Sequence, residues 1–419
     1  MLPVGVLAAA LIALLAFAPF ASAASDPLAS GKTTMTLQKS FTNYLKTFGI
    51  TVSKISPAKL SGGKATFNVT GGSLDPTNGK GTVNLGGGLK FKAGKANAQV
   101  KGLVLDTNKK TLTGKISGKK VKIATITSTS TRSGFGVNLK INKVKLTNAG
   151  ATQLNKKLGF SKGKPKPFLK NKLIAKATAE TQPATVTVLP VGDMTFSGSP
   201  VLLTKLKNVE VSLQTLGLTK QTGSVFTAPI LGGTVSPTGT AGQVESGIGI
   251  KMVQNLPLPT APGAAITTNI TLGGMYVDLA GKTATVEVIA ESNAESPAGS
   301  GKKPLNLGNL GRSSIADIVV TGVNADPTTR TVAINAAGVL QAISAEVLQG
   351  FVSVYQAYVE GGAQIKFCEN PLAAPEACKN QPEKEAAAKF GKEKGDEVAK
   401  NKISAGEALG TFSFTAQTQ

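Results

Sequence analysis

The chain carries one stretch twice. Residues 71–91 read GGSLDPTNGKGTVNLGGGLKF, and residues 232–252, 161 positions later, read GGTVSPTGTAGQVESGIGIKM. Nine of the 21 aligned positions are identical without a gap. An internal repeat of this kind implies two units with one element order. The match extends outward. LKTFGIT (Leu45–Thr51) pairs with LQTLGLT (Leu213–Thr219), GLVLDTNKKTLTGKI (Gly102–Ile116) with GMYVDLAGKTATVEV (Gly274–Val288), and TAETQ (Thr178–Gln182) with TAQTQ (Thr415–Gln419). The second copy is expected to close at the last residue, with no further domain, tail or membrane anchor behind it.

Residues 1–23 read as a secretory signal. Val6–Phe17 is a continuous apolar run and Ala21-Ser22-Ala23 a small-residue cleavage site, although no Lys or Arg precedes the run. The run is short for a bilayer span. The rest divides into a first domain over 33–190 and a second over 198–419, each large enough to bury a core. The second holds both cysteines, Cys368 and Cys378, and a helical insertion near 366–402. In an exported chain these cysteines read as a loop-closing disulfide. A zinc site would need further ligands, and the chain has no histidine.

The charge is uneven. Residues 31–190 hold 29 Lys+Arg against 3 Asp+Glu, whereas residues 191–419 hold 17 against 19. A basic first domain suits an anionic partner, such as a cell-envelope polymer, a lipid headgroup or a carboxylate-bearing ligand. The same lysines also read as a solvent-facing coat, as with Lys140 between Leu139 and Ile141. One arginine in the basic half and few aromatics argue against nucleic acid.

Period-2 alternation marks strands at Lys64–Thr70, Ala98–Asp106, Thr111–Ser117, Val121–Thr127 and Phe135–Leu146. DPTNGKG (Asp75–Gly81) and DTNKK (Asp106–Lys110) are turn sequences. The clusters Gly86-Gly87-Gly88 and Gly247-Ile248-Gly249 sit inside strand patterns and read as bulges or turns. Helices are expected at Thr36–Phe48, Asn148–Leu158, Asn335–Glu360 and Glu383–Lys400. Loops are expected at Lys162–Lys166 and Ser292–Pro304, and Pro183–Ser199 is expected to join the domains. The fold class is mainly β: two tandem β-sandwich (immunoglobulin-like) domains with short appended helices.

Without histidine, Ser-His-Asp and Cys-His triads are excluded. The first copy's acids, Asp75, Asp106 and Glu180, offer no paired-carboxylate site, since Asp75 and Asp106 both stand in turns. No phosphate-loop, nucleophile-elbow or dinucleotide motif occurs. The S-x-x-K matches at Ser117–Lys120 and Ser161–Lys164 are chance-level in so lysine-rich a stretch. The expected role is binding or structure, not catalysis.

The order TLQKSFTNYLK (Thr36–Lys46), the D-P-T-N-G turn, GTVNLGGGLKF, LVLDTNKKTLTGKI and KLTNAGATQLN (Lys145–Asn155) resembles the HtaA domain. That domain occurs in secreted and cell-surface actinobacterial proteins, several of which bind haem. The resemblance covers 33–182, and the second copy more weakly. It implies a β-sandwich with short helices and haem as cofactor. In haem-binding members the tyrosine of an S-F-x-x-Y motif ligates the iron, and here that position is Tyr44. A phenolate suits ferric iron, and lysines suit the propionates. This chain departs in lacking the histidine that supports the ligand in such members. Tyr44 also reads as a core residue, given its spacing with Phe41, Leu45 and Phe48. Aligned through Leu45 and Leu213, Tyr44 falls opposite Ser212 and Phe41 opposite Val209, so haem binding is expected in the first domain only. Tyr276, Tyr355 and Tyr358 lie in a strand or the long helix, outside any motif. The alternative is a wall-associated module whose basic face holds anionic polymer.

Overall fold

The computed structural model describes residues 25–160, 165–257, 265–293, 308–368, 389 and 392–419. The signal segment 1–23 and the Cys368–Cys378 pairing lie outside the described residues, as do the greater part of the Lys162–Lys166 and Ser292–Pro304 loops and residues 383–388 of the charged helix. Residues 392–399 of that helix are helical. The chain forms two compact units, the first reaching Val186 and the second spanning Thr187–Thr418.

In the first unit, β1 (Asp26–Leu37), β2 (Ile50–Ile55), β3 (Lys59–Ser61), β4 (Lys64–Leu74), β5 (Gly81–Ala93), β6 (Ala96–Asp106), β7 (Thr111–Ile116), β8 (Lys119–Ser133), β9 (Gly136–Leu146) and β10 (Leu173–Pro183) form one sheet. Its order is β2-β5-β6-β7-β8-β9-β10-β1-β4-β3, and β4 also pairs with β5. That pairing closes an eight-strand antiparallel circuit, so one sheet supplies both packed faces and most edges are removed. The mainly β reading with short helices holds. Alternation drives it: Leu139 and Ile141 are buried and Lys140 between them is exposed. The glycine cluster is a bulge, with the β5–β6 register shifting between Leu85 and Gly88. Gly87 has φ +84°, and a Cβ there would lie 2.5 Å from the Ala58 nitrogen, so a side chain is excluded.

Two helices cap this circuit, α1 (Lys39–Thr47) and α2 (Asn148–Lys157). α1 starts later than expected, because Thr36 and Leu37 belong to β1, paired with Lys176 and Ala175. α2 matches its expected span, and the Thr147 hydroxyl accepts from the Gly150 N–H at 3.0 Å.

The second unit holds β11 (Val186–Val188), β12 (Asp193–Gly198), β13 (Val211–Thr215), β14 (Lys220–Thr222), β15 (Val225–Val235), β16 (Gly242–Ser246), β17 (Ile250–Pro257), β18 (Ala265–Asp278), β19 (Thr283–Ser292), β20 (Gly308–Asp326), β21 (Thr331–Leu340) and β22 (Ala408–Gln417). Its helices include α3 (Pro200–Asn208) and α4 (Ala342–Cys368). The circuit β15-β12-β22-β21-β20-β19-β18-β16 closes in the same order as β4-β1-β10-β9-β8-β7-β6-β5 in the first unit. The break at Gly247–Gly249 splits into β16 and β17 what is one strand, β5, in the first unit.

Two expectations are corrected here. Pro183–Ser199 is no simple linker: it contains β11 and β12, and β12 pairs with β15 and β22 as β1 pairs with β4 and β10. Asn335–Leu340 is strand, not helix, because its backbone is committed to ladders with β20 and β22; α4 begins only at Ala342.

The cores differ in where they place aromatic bulk. Met35, Ala65 and Ala177 lie side by side across β1, β4 and β10, and Phe196, Phe226 and Phe412 occupy the same three places in the second unit. Under the first helix the exchange is reversed. Phe41, Phe91 and Phe168 interlock edge-on there, with centroids 6.1 and 5.5 Å apart. The 161-residue offset sets Leu202 opposite Phe41 and Met252 opposite Phe91.

Candidate functional site

Tyr44 sits on α1, one position before a fully buried residue. Phe41 and Leu45 point into the core, 1% and 0% exposed, and anchor the helix. Tyr44 is only half-buried, so it lies at the margin of that face and not within the core. Its ring packs edge-on against Phe48 at 5.2 Å, and Phe48 packs edge-on against Phe160 at 5.9 Å. The Lys172 ammonium stands 5.2 Å from the Tyr44 ring centroid, within cation–π range. Among the described residues none hydrogen-bonds to the Tyr44 hydroxyl.

The elements around Tyr44 are held from below. The Asn155 side chain of α2 both donates to the Phe168 carbonyl at 2.8 Å and accepts from the Phe168 N–H at 3.1 Å. Phe168 in turn contacts Phe41 under α1. One buried amide therefore ties Phe168, four residues before Lys172, to α2. Phe160 and Lys172 are the site residues that sequence spacing did not single out. Phe160 and Lys172 lie over 100 positions from Tyr44, and only closure of the sheet brings them there.

The other tyrosines are engaged differently. Burial pushes the Tyr276 hydroxyl above its ordinary pKa, and the hydrogen bond to Glu245 and its charge push it further, with Arg312 opposing. Arg312 lies 3.9 Å from the Tyr276 ring centroid and pairs with Glu287 at 3.1 Å. Burial and the charge of Glu210 push Tyr355 up. The Tyr358 hydroxyl donates to the Pro257 carbonyl at 2.8 Å. Raised pKa values at Tyr276 and Tyr355 disfavour a phenolate there.

The structure corrects the residue facing Tyr44 in the repeat. α1 and α3 cover 39–47 and 200–208, β3 and β14 cover 59–61 and 220–222, and β4 and β15 cover 64–74 and 225–235, all at one offset of 161. Tyr44 therefore corresponds to Lys205, not Ser212, and Phe41 to Leu202, not Val209. Ser212 is in β13, paired with Val253. Leu45–Thr51 and Leu213–Thr219 look alike only by local composition. The Lys205 ammonium donates to Glu407 and to the Lys402 carbonyl, each at 2.7 Å.

Among the described residues no cluster of three or more Cys, Asp or Glu could hold a metal ion, and no helix is long and apolar enough to cross a membrane. The site sets a phenol beside two aromatic rings, with an ammonium over the phenol ring.

The HtaA family model matches residues 31–165. Two solved structures are similar in part: the C-terminal domain of HtaA from Corynebacterium glutamicum (12% identity, TM-score 0.28, covering 56% of this chain and 99% of that one), and the heme binding protein HtaB from Corynebacterium glutamicum (14% identity, TM-score 0.31, covering 56% and 95%). No curated protein matches the chain. The stretch matched by the HtaA family model carries Tyr44 and Phe160.

Proposed function

We propose that this is a non-catalytic haem-binding protein of the cell surface, and that its first unit holds ferric haem through Tyr44. The observation that carries the reading is the half-buried Tyr44 phenol, whose hydroxyl has no hydrogen-bond partner among the described residues, lying within the stretch that the HtaA family model matches. Phe48 and Phe160 provide an apolar edge for a macrocycle, and Lys172 a cation for a propionate. Haem supplies the iron, a hard ferric centre for which a phenolate is a suitable ligand. No histidine stands behind the phenol in this chain. Lys172 is the positive group beside the ring.

The second unit has Lys205 where the first has Tyr44, and that ammonium is already paired with Glu407. One haem per chain is therefore the expected stoichiometry. The test is a titration of the purified chain with ferric haem, followed by its visible spectrum. A high-spin tyrosinate-type spectrum at one equivalent, abolished in Tyr44→Phe, supports the assignment. A spectrum indistinguishable from free haem, or one unchanged by Tyr44→Phe, would sink it.

A further inference from the structure

The second unit contains an apolar cavity of about 200 Å³ beneath its two capping helices. Leu202 and Leu206 of α3, Met252 and Ile270 of the sheet, and Val347 and Leu348 of α4 are among its walls. Among the described residues its polar side chains are Ser313 and Ser344, and the Ser344 hydroxyl is committed to the Ser314 carbonyl at 3.2 Å. No charged side chain of the described residues lines it.

The cavity follows from the exchange of aromatic bulk between the units. Where the first unit packs Phe41 of α1 and Phe91 of the sheet edge-on against Phe168, the second has Leu202 of α3 and Met252 of the sheet, and both of these line the cavity. The second unit's own rings, Phe196 and Phe226, wall the cavity from the strand side, and Phe412 packs on Phe196. The gap is also held open. The fully buried Gln254 amide donates to the Val209 carbonyl at the end of α3, at 2.7 Å, and to the Phe351 carbonyl of α4, at 3.0 Å. One side chain thus ties both helices and limits their collapse into the space.

We infer that this cavity takes the alkyl chain of an amphiphile, with the polar head left at the mouth. The mouth explains the choice of a chain over a compact apolar solute. Ile343 and Leu310, 57% and 38% exposed, carry the apolar wall out to solvent. An elongated ligand can bury its tail and keep its head in water. A dry cavity of about 150 Å³ holds a six-carbon ring, so on the same scale this one holds roughly eight carbons. The site is separate from Tyr44, which lies in the other unit.

The full chain is titrated by calorimetry with straight 1-alkanols from butanol to dodecanol. One-to-one binding should tighten about fourfold per added methylene, the fold-change that follows from the transfer of one CH₂. The gain should level off near eight carbons, when the cavity is full. Absence of binding, or tightening that continues unbroken through dodecanol, would overturn the inference, as would saturation by benzene with none by any alkanol. Met252→Phe restores the ring that the first unit carries as Phe91 and should weaken octanol binding more than tenfold. Val347→Trp, at a half-buried position of α4, should do the same if Met252→Phe does not fold. Unchanged affinity in a folded variant of either kind refutes the location. Tyr44→Phe should leave octanol binding as it is, which separates this site from the haem proposal.

Discussion

Tyr44 and Lys205 occupy the same place on the first helix of their units, yet only Lys205 is tied down. Its ammonium bonds Glu407 and the Lys402 carbonyl, and Glu407 also accepts from the Ser404 N–H at 2.9 Å. The pair is mostly shielded, with side chains 19% and 26% exposed. Lys205→Met should destabilise the second unit by about 1–2 kcal/mol, between the values of exposed and buried pairs. Tyr44→Phe breaks no hydrogen bond to a described residue and should cost less than about 0.5 kcal/mol. Urea denaturation of the two variants, monitored separately for each unit, checks the contrast.

Asp75 organises the turn between β4 and β5. Its carboxylate accepts from the Thr77 N–H at 2.7 Å, the Thr77 hydroxyl at 2.5 Å and the Asn78 amide at 2.6 Å. Burial alone would push its pKa up, but the Thr77 and Asn78 bonds outweigh it and hold the carboxyl below its ordinary value. A folded pKa below the unfolded one adds stability above the ordinary carboxylate range. That stability is lost as pH falls through the folded value. The first unit should therefore weaken progressively below about pH 4, and Asp75→Asn should flatten that slope. In the second unit Ser236 fills this place with a neutral hydroxyl, bonded to Thr238, so its turn should show no such dependence. Denaturation midpoints measured across pH 2–6 would show both behaviours.

Thr33 is fully buried in β1, and its hydroxyl lacks a hydrogen-bond partner among the described residues. A buried unsatisfied hydroxyl costs about 1–3 kcal/mol. Thr33→Val keeps the branched shape and removes the polar atom, so the first unit should gain roughly 1 kcal/mol. A fall in stability in thermal or chemical unfolding would contradict this.

Lys101, Lys115 and Lys120 stand directly opposite one another across β6, β7 and β8. All three are exposed, and like charges in facing positions oppose pairing. Lys115→Gln should stabilise the first unit by a few tenths of a kcal/mol, about the size of one cross-strand pair. The gain should shrink at 1 M salt, where screening acts within about 3 Å. A gain independent of salt would mean that repulsion is not its source.

Strand positions such as Leu139, Lys140 and Ile141 are legible from alternation, because the side-chain period of an extended chain is two wherever the strand lies. The turn at Asp75 is legible for the same local reason: Asx chemistry acts over two or three residues. α2 is legible at its expected span, and the structure adds the Thr147 cap. Asn335–Leu340 was not, since an alanine-rich segment favours helix until its neighbours claim its backbone. β12 was missed because six residues between glycine and serine carry little periodic signal. The Leu45 and Leu213 segments aligned well by letter and wrongly in space, since short helix-to-strand passages share a composition.

What the sequence determined by itself is therefore the local layer: a duplicated β unit and a lysine-coated first copy, which follow from period and composition. Tyr44 as the candidate ligand came from the resemblance to the HtaA domain. The tertiary structure alone decided that each sheet closes through β4–β5 or β15–β16, and that Phe160 and Lys172 meet Tyr44. It also decided that Lys205 is the counterpart of Tyr44, and that Leu202 and Met252, standing where the first unit has Phe41 and Phe91, border a cavity. These depend on which distant strands share hydrogen bonds, and pairing across more than a hundred residues is set by the packing of the whole sheet, not by any window of neighbouring side chains.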